Sequence, residues 1–309
     1  MPVGTIGFGA GMTSAAKSDL PIASPLRGVL WMLAAGISFV GVNAIVRYLG
    51  TELPAAQSAF LRFGFGVVFL LPVLLPVLRG GFAPGMMRLY AARGAVHTVA
   101  VVLWFYAMAR ITLAEVTAIG YLNPVLVTLG AALFFGERLT AARLVAFAVA
   151  LLGAVIILRP GLREVTYGHL AQVAAAVFFA GSYLFGKELS GRASAASVVA
   201  MLSLSVTVGL LPFAIWVWVP VTVAQLGWLA LVAAFATLGH YCMTQAFQAA
   251  PMAIIQPVTF LQLVWATLLG TLFFGESLDI YVPIGGAVII AAISFVTFRE
   301  ARTVGPGDL

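Results

Sequence analysis

Residues 28–49 read GVLWMLAAGISFVGVNAIVRYL, and residues 168–189 read GHLAQVAAAVFFAGSYLFGKEL. Laid on one another at an offset of 140, seven of 22 positions are identical: Gly28 with Gly168, Leu30 with Leu170, Ala34 and Ala35 with Ala174 and Ala175, Phe39 with Phe179, Gly41 with Gly181, and Leu49 with Leu189. Arg47 also falls on a cation, Lys187. Chance agreement in so apolar a composition is about a tenth. The same offset pairs Ala55-Ala56 with Ala195-Ala196 and Leu70-Leu71-Pro72 with Leu210-Leu211-Pro212. At 139, Phe134-Phe135-Gly136-Glu137 meets Phe273-Phe274-Gly275-Glu276. A duplication along a hydrophobic chain points to transport before any motif is consulted.

The 309 residues are 62% hydrophobic and 8% charged, with mean hydropathy +1.10. A soluble domain is about a quarter charged, so this chain belongs in a lipid bilayer. The net charge of +6 comes from 16 cations against 10 acids. The cations lie between apolar runs and not in one patch, which speaks for membrane orientation and against nucleic-acid binding. A lone Cys242 excludes an internal disulfide and a cysteine metal cluster. Residues 1–26 read as a flexible cytoplasmic tail, with no basic region followed by an apolar core as in a signal peptide. Residues 299–309 read as a second short cytoplasmic tail.

Ten stretches satisfy the roughly 20 apolar residues a membrane helix needs: 27–48, 54–78, 88–110, 112–135, 140–158, 167–187, 194–218, 222–247, 251–274 and 279–298. They divide into two five-helix repeats, 27–160 and 161–298, with loops too short for a soluble domain. The side of the N-terminus carries eleven cations (Lys17, Arg27, Arg79, Arg88, Arg93, Arg138, Arg143, Lys187, Arg192, Arg299, Arg302), and the other side four (Arg47, Arg110, Arg159, Arg163). Arg62 lies inside the second span. The positive-inside rule places both termini in the cytoplasm. Five helices per half is odd, so the halves are inverted, which suits alternating access around a central site. Pro72, Pro124, Pro212 and Pro257 are expected to interrupt helices against protein or a polar cavity.

Ten spans, inverted halves and a Phe-Phe-Gly-Glu after the fourth and ninth spans resemble the drug/metabolite transporter superfamily, in particular its ten-helix metabolite exporter branch. The stretch Asn123-Pro124 through Gly136-Glu137 to Gly153 is similar to that branch's signature, and the likeness covers residues 27–298. In the second half the family's proline, expected near Leu263, is missing, and Pro257 stands earlier. Within the branch the chain resembles bacterial exporters of aromatic and other neutral amino acids. The resemblance implies an all-α membrane protein and a small-molecule substrate, and it implies no enzyme and no cofactor.

Helical spacing selects the substrate-binding candidates. Asn43 in the first span and Phe179 and Tyr183 in the sixth stand on corresponding faces, where small Gly36 and Ala176 allow close approach. They read as a cavity wall, the alternative being a helix–helix seam. Arg47 and Lys187 read as snorkelling anchors near helix ends. His97 and Trp104 share a face of the third span, and His240 and Tyr241 lie together on the eighth. Each His is either a proton carrier or a neutral group bonded between helices. Tyr121 of the fourth span and Gln256 of the ninth complete the set. Arg62 reads as bonding a helix-end carbonyl in preference to a substrate carboxylate.

All ten acids lie in tails, loops or helix ends. A bare cation would find no buried counter-charge, so a neutral or zwitterionic solute fits better. No nucleotide-binding or metal motif stands in the chain, and Gly285-Gly286 reads as helix packing. The expectation is a bacterial inner-membrane exporter of aromatic or other neutral amino acids, working by alternating access with facilitated, uncoupled transport preferred. A monomer is compatible with this scheme. The rivals are export of another metabolite (purine, sugar or organic anion) and, remotely, an integral membrane enzyme or sensor.

Overall fold

The computed structural model describes residues 25–135, 140–162, 164–190, 192–249, 255, 258–259 and 261–303. All regular structure among them is helical: α1 Pro25–Leu49, α2 Ala55–Phe69, α3 Leu71–Arg79, α4 Met86–Met108, α5 Leu113–Gly120, α6 Leu122–Phe135, α7 Ala141–Leu158, α8 Tyr167–Ser190, α9 Ala195–Trp216, α10 Val223–Ala249, α11 Leu261–Phe274 and α12 Tyr281–Thr303. Among the described residues, six helices are long and apolar enough to cross a membrane. The pair α2 and α3, bent by 75°, makes a seventh if it forms one span. Leu113–Val127, Leu261–Phe274 and Tyr281–Phe295 are apolar but shorter.

Two of the expected spans are therefore not single helices. The second breaks at Leu70, two residues before Pro72, which has no N–H to give the carbonyl four residues back and whose ring clashes with it. The fourth breaks at Tyr121 into α5 and α6. There Thr112 and Glu115 start α5 as a capping box: the Thr112 hydroxyl accepts from Glu115 N–H at 3.2 Å, and the Glu115 carboxylate accepts from Thr112 N–H at 2.9 Å. Pro212 sits inside α9 without ending it, and Pro257 lies outside the described residues.

One apolar core joins the helices, running from Val42, Phe63 and Val101 through Met108, Ile119 and Ile157 to Leu210, Leu263 and Ile289. Its strongest pairings are α1 with α10, α4 with α8, α7 with α12 and α2 with α9. The α7–α12 pair owes its closeness to glycine. A Cβ on Gly153 would lie 2.7 Å from the Gly285 carbonyl oxygen, and one on Gly285 would lie 2.5 Å from that of Gly153. Two backbones in touch leave room for no side chain, the interface that small residues make between membrane helices.

Candidate functional site

The middle of the bundle gathers rings and cations from five helices. On α4, His97 is 7% exposed and sets Nδ1 2.9 Å from the Ser182 hydroxyl of α8. Its ring stands edge-on to Phe63 of α2 at 5.8 Å and to Phe179 of α8 at 5.1 Å. On α10, His240 donates from Nδ1 to the Ala236 carbonyl at 2.9 Å, since a carbonyl can only accept. Its ring meets Phe39 of α1 at 5.1 Å. Thus the two imidazoles, one from each half, hold protein hydrogen bonds on Nδ1; two phenylalanines flank His97 and one meets His240.

Two arginines join them. Arg62 on α2 lays its guanidinium 3.9 Å from the centre of the Phe63 ring, a cation–π contact worth about 1 kcal/mol. Its expected helix-end carbonyl partner is absent among the described residues. Arg93 on α4, one turn before His97, is 8% exposed. It rests against Gly186 of α8, where a Cβ would approach the guanidinium carbon to 3.1 Å. Its only hydrogen bond among the described residues is a long one, 3.4 Å from Nη1 to the Val198 carbonyl, and its Nε has no acceptor. Both arginines are within electrostatic reach of His97 and of His240, and Arg93 also of Tyr183. Tyr183 is 40% exposed.

Of the residues expected from the sequence, His97, Phe179, Tyr183 and His240 are brought together. Asn43 and Trp104 are half-buried on the participating helices α1 and α4, with Trp104 turned edge-on to Phe105 at 5.0 Å. Tyr121 stands apart: it is 9% exposed, and its hydroxyl donates to the Thr259 carbonyl at 2.8 Å, tying the α5–α6 break to the other half. Tyr241 points elsewhere than His240, as neighbours on a helix do. It is 56% exposed, edge-on to Trp31 at 6.1 Å, and accepts from Gln245 Nε2 at 3.0 Å. Gln256 lies outside the described residues. The gap left by Gly36 is occupied by Gln262, whose Cγ would stand 3.1 Å from a Cβ there. Phe63 and Arg93 are the additions. Arg93 could be found from its spacing, four residues before a central His, and not from its place among the cytoplasmic-side cations.

A second group of polar contacts closes one end of the bundle. Arg47, expected as a snorkelling anchor, pairs instead with Glu276 at 3.1 Å. Gly275 adopts φ +62 and turns the chain, so that Glu276 also accepts from Leu113 N–H at 3.0 Å. This explains the Gly-Glu of the repeated motif in the second half; the matching Gly136-Glu137 lies outside the described residues. Burial pushes the Glu276 carboxyl above its ordinary value of 4.5, against the pull of the Leu113 N–H and of Arg47. Nearby, His169 accepts at Nδ1 from Thr166 N–H at 3.1 Å, which leaves Nε2–H to face Glu115 at 3.3 Å. Arg159 pairs with Asp279. Gln57 exchanges two hydrogen bonds with Val219, at 2.8 and 2.9 Å, across α2 and the end of α9.

Comparison with known proteins names the family. The EamA-like transporter family model matches residues 26–159 and again 166–298. A riboflavin transporter of Rhizobium johnstonii is 32% identical over 89% of this chain and 92% of its own. A pseudopaline exporter of Pseudomonas aeruginosa is 29% identical over 86% and 94%, and an S-adenosylmethionine uptake transporter of Rickettsia bellii is 24% identical over 90% and 95%. A solved crystal structure, 20% identical, shares the fold with a TM-score of 0.59 over 91% of this chain and 100% of that one. These relatives are named for substrates other than amino acids, so the amino acid part of the expectation is not carried by them. What they share with this chain is the movement of a small molecule through a multi-pass membrane protein, and on the twofold match the chain belongs to the EamA-like transporter family.

Proposed function

We propose that this chain is a secondary transporter that carries a small ring-bearing metabolite across the bacterial inner membrane by alternating access around the space between α1, α2, α4, α8 and α10. The observation that carries it is the convergence of Phe39, Phe63, Phe179 and Tyr183 with two imidazoles at mid-helix depth. Aromatic walls take flat solutes edge-on or stacked, and a flavin is the first solute to try because a riboflavin transporter is among the similar proteins. Aromatic amino acid export is the second reading, since the same rings would take a phenylalanine or tryptophan side chain.

The inverted-repeat arrangement is supported by how the helices pair. The 140-residue offset relates α1 to α8 and α4 to α10, and the observed pairs α1–α10 and α4–α8 exchange under that relation. The pairs α2–α9 and α7–α12 join each helix to its own counterpart. Such crossed pairing is what inverted halves about a central axis would make. Cytoplasmic termini are supported by the distribution of cations, which remains ten to four once Arg93 is counted inside the bundle.

The test is flux into liposomes carrying the purified chain, with labelled riboflavin in one arm and phenylalanine or tryptophan in the other. Saturable uptake above empty vesicles is expected in at least one arm. No flux in either overturns the ring-bearing substrate. Imposing a pH gradient is expected to leave the flux unchanged, since the ten acids stand in tails, loops and helix ends and leave no mid-membrane carboxylate to relay a proton; acceleration by the gradient would return the two imidazoles to the role of proton carriers.

A further inference from the structure

Among the described residues, the centre of this bundle holds two guanidinium groups and no carboxylate. Ion pairs among the described residues join Arg47 to Glu276, Arg159 to Asp279 and Arg192 to Glu188. None includes Arg62 or Arg93. The ten acids of the chain stand in tails, loops and helix ends. Arg62 is seven residues into α2, about 10 Å along its axis, and Arg93 is seven residues into α4. A cation at this depth is expensive unless an anion or water meets it. Protein acceptors do not meet it here: Arg62 has the Phe63 ring on one face, and Arg93 has one long bond and a buried Nε with none.

We propose that Arg62, backed by the charge of Arg93, binds an oxyanionic group, a carboxylate or a phosphate, on the ring-bearing solute that this chain transports. The proposal rests on the transporter reading above. Its chemistry is that of charge-assisted, forked hydrogen bonds from guanidinium to oxyanion, stronger than neutral ones and strengthened where water is scarce. Phe63 holds the Arg62 plane from below, which orders the fork before the anion arrives. Phe179 and Phe39, against the two imidazoles, would then take the ring of the same solute. The two guanidinium groups bring two positive charges to the space. A dianionic phosphate monoester would cancel both, and a carboxylate one.

Binding to the purified full chain decides it, with two matched pairs of probes: riboflavin and its 5′-phosphate, and indole-3-acetamide and indole-3-acetate. At least one charged probe is expected to bind about tenfold more tightly than its neutral partner, equivalent to about 1.4 kcal/mol. Which pair shows the difference tells phosphate from carboxylate. Arg62→Gln should abolish the preference, Arg62→Lys keep part of it, and Arg93→Gln reduce it. Equal binding of charged and neutral partners by the native chain overturns the proposal, and so does a preference that survives both Gln variants. Should Arg62→Gln fail to fold, the native ratio and Arg93→Gln still decide. Flux in liposomes is read separately. A charged probe that binds but is not carried sustains the anion site and sinks the transporter reading; flux of neutral probes with no charged preference does the reverse.

Discussion

At the scale of the residue, Glu276 has the most exacting surroundings. It holds the Arg47 guanidinium and the Leu113 N–H at once, yet burial outweighs both and raises its carboxyl. A group that binds its proton more tightly when folded stabilises the fold fully below the unfolded value near 4.5, and that contribution is lost as pH rises through the raised folded value. Thermal unfolding in detergent should therefore show Glu276→Gln with a flatter pH profile than the native chain over the range just above 4.5. An unchanged slope would remove this assignment. Little of this was legible in the sequence. The Phe-Phe-Gly-Glu motif marks the position, but periodicity along one helix says nothing of which partner another helix brings. For the same reason Arg47 reads as an interfacial anchor and Arg93 as a loop-side charge, whereas His97 and Phe179, chosen by helical face, do meet.

At the scale of the element, glycines and prolines decide what each helix can do. Gly153 and Gly285 let α7 and α12 touch backbone to backbone. Gly153→Ala or Gly285→Ala must push the pair apart, at a cost of about 1–3 kcal/mol for an overpacked interface; a lowered midpoint of thermal unfolding in detergent checks it. The capping box at the start of α5 is a second such point, where Thr112→Ala should cost about 1 kcal/mol. The Thr-x-x-Glu at 112–115 is readable in the sequence as a helix start, and Pro72 as a break. The break at Tyr121 is readable too, from Pro124, which has no N–H to give the Gly120 carbonyl four residues back. Gly120 precedes it, and what holds the ring in place is the Thr259 carbonyl of the other half. Hydropathy finds apolar stretches; it does not tell a continuous helix from two short ones in line.

For the whole molecule, the duplication was the legible part, and the way the halves interlock was not. The offset relates α1 to α8, but only the structure pairs α1 with α10 and α4 with α8, because residues that match in sequence need not touch. Among the described residues, charged and amide contacts between helices gather at the end where α1 and α7 finish: Arg47 with Glu276, Arg159 with Asp279, His169 with Glu115, and Gln57 with Val219. If the chain alternates, these contacts must part for the opposite opening. In a chain with Cys242 replaced by Ser and Trp104 by Cys, a membrane-impermeant thiol reagent applied from that end should label slowly, and several-fold faster when Arg47 and Glu276 are both Ala. Equal rates would free this end from the role. A bundle latched at one rim also has a virtue when there is nothing to carry. Idle molecules stay shut towards that compartment, and the ion gradients that power the rest of the membrane are not drained through an empty carrier.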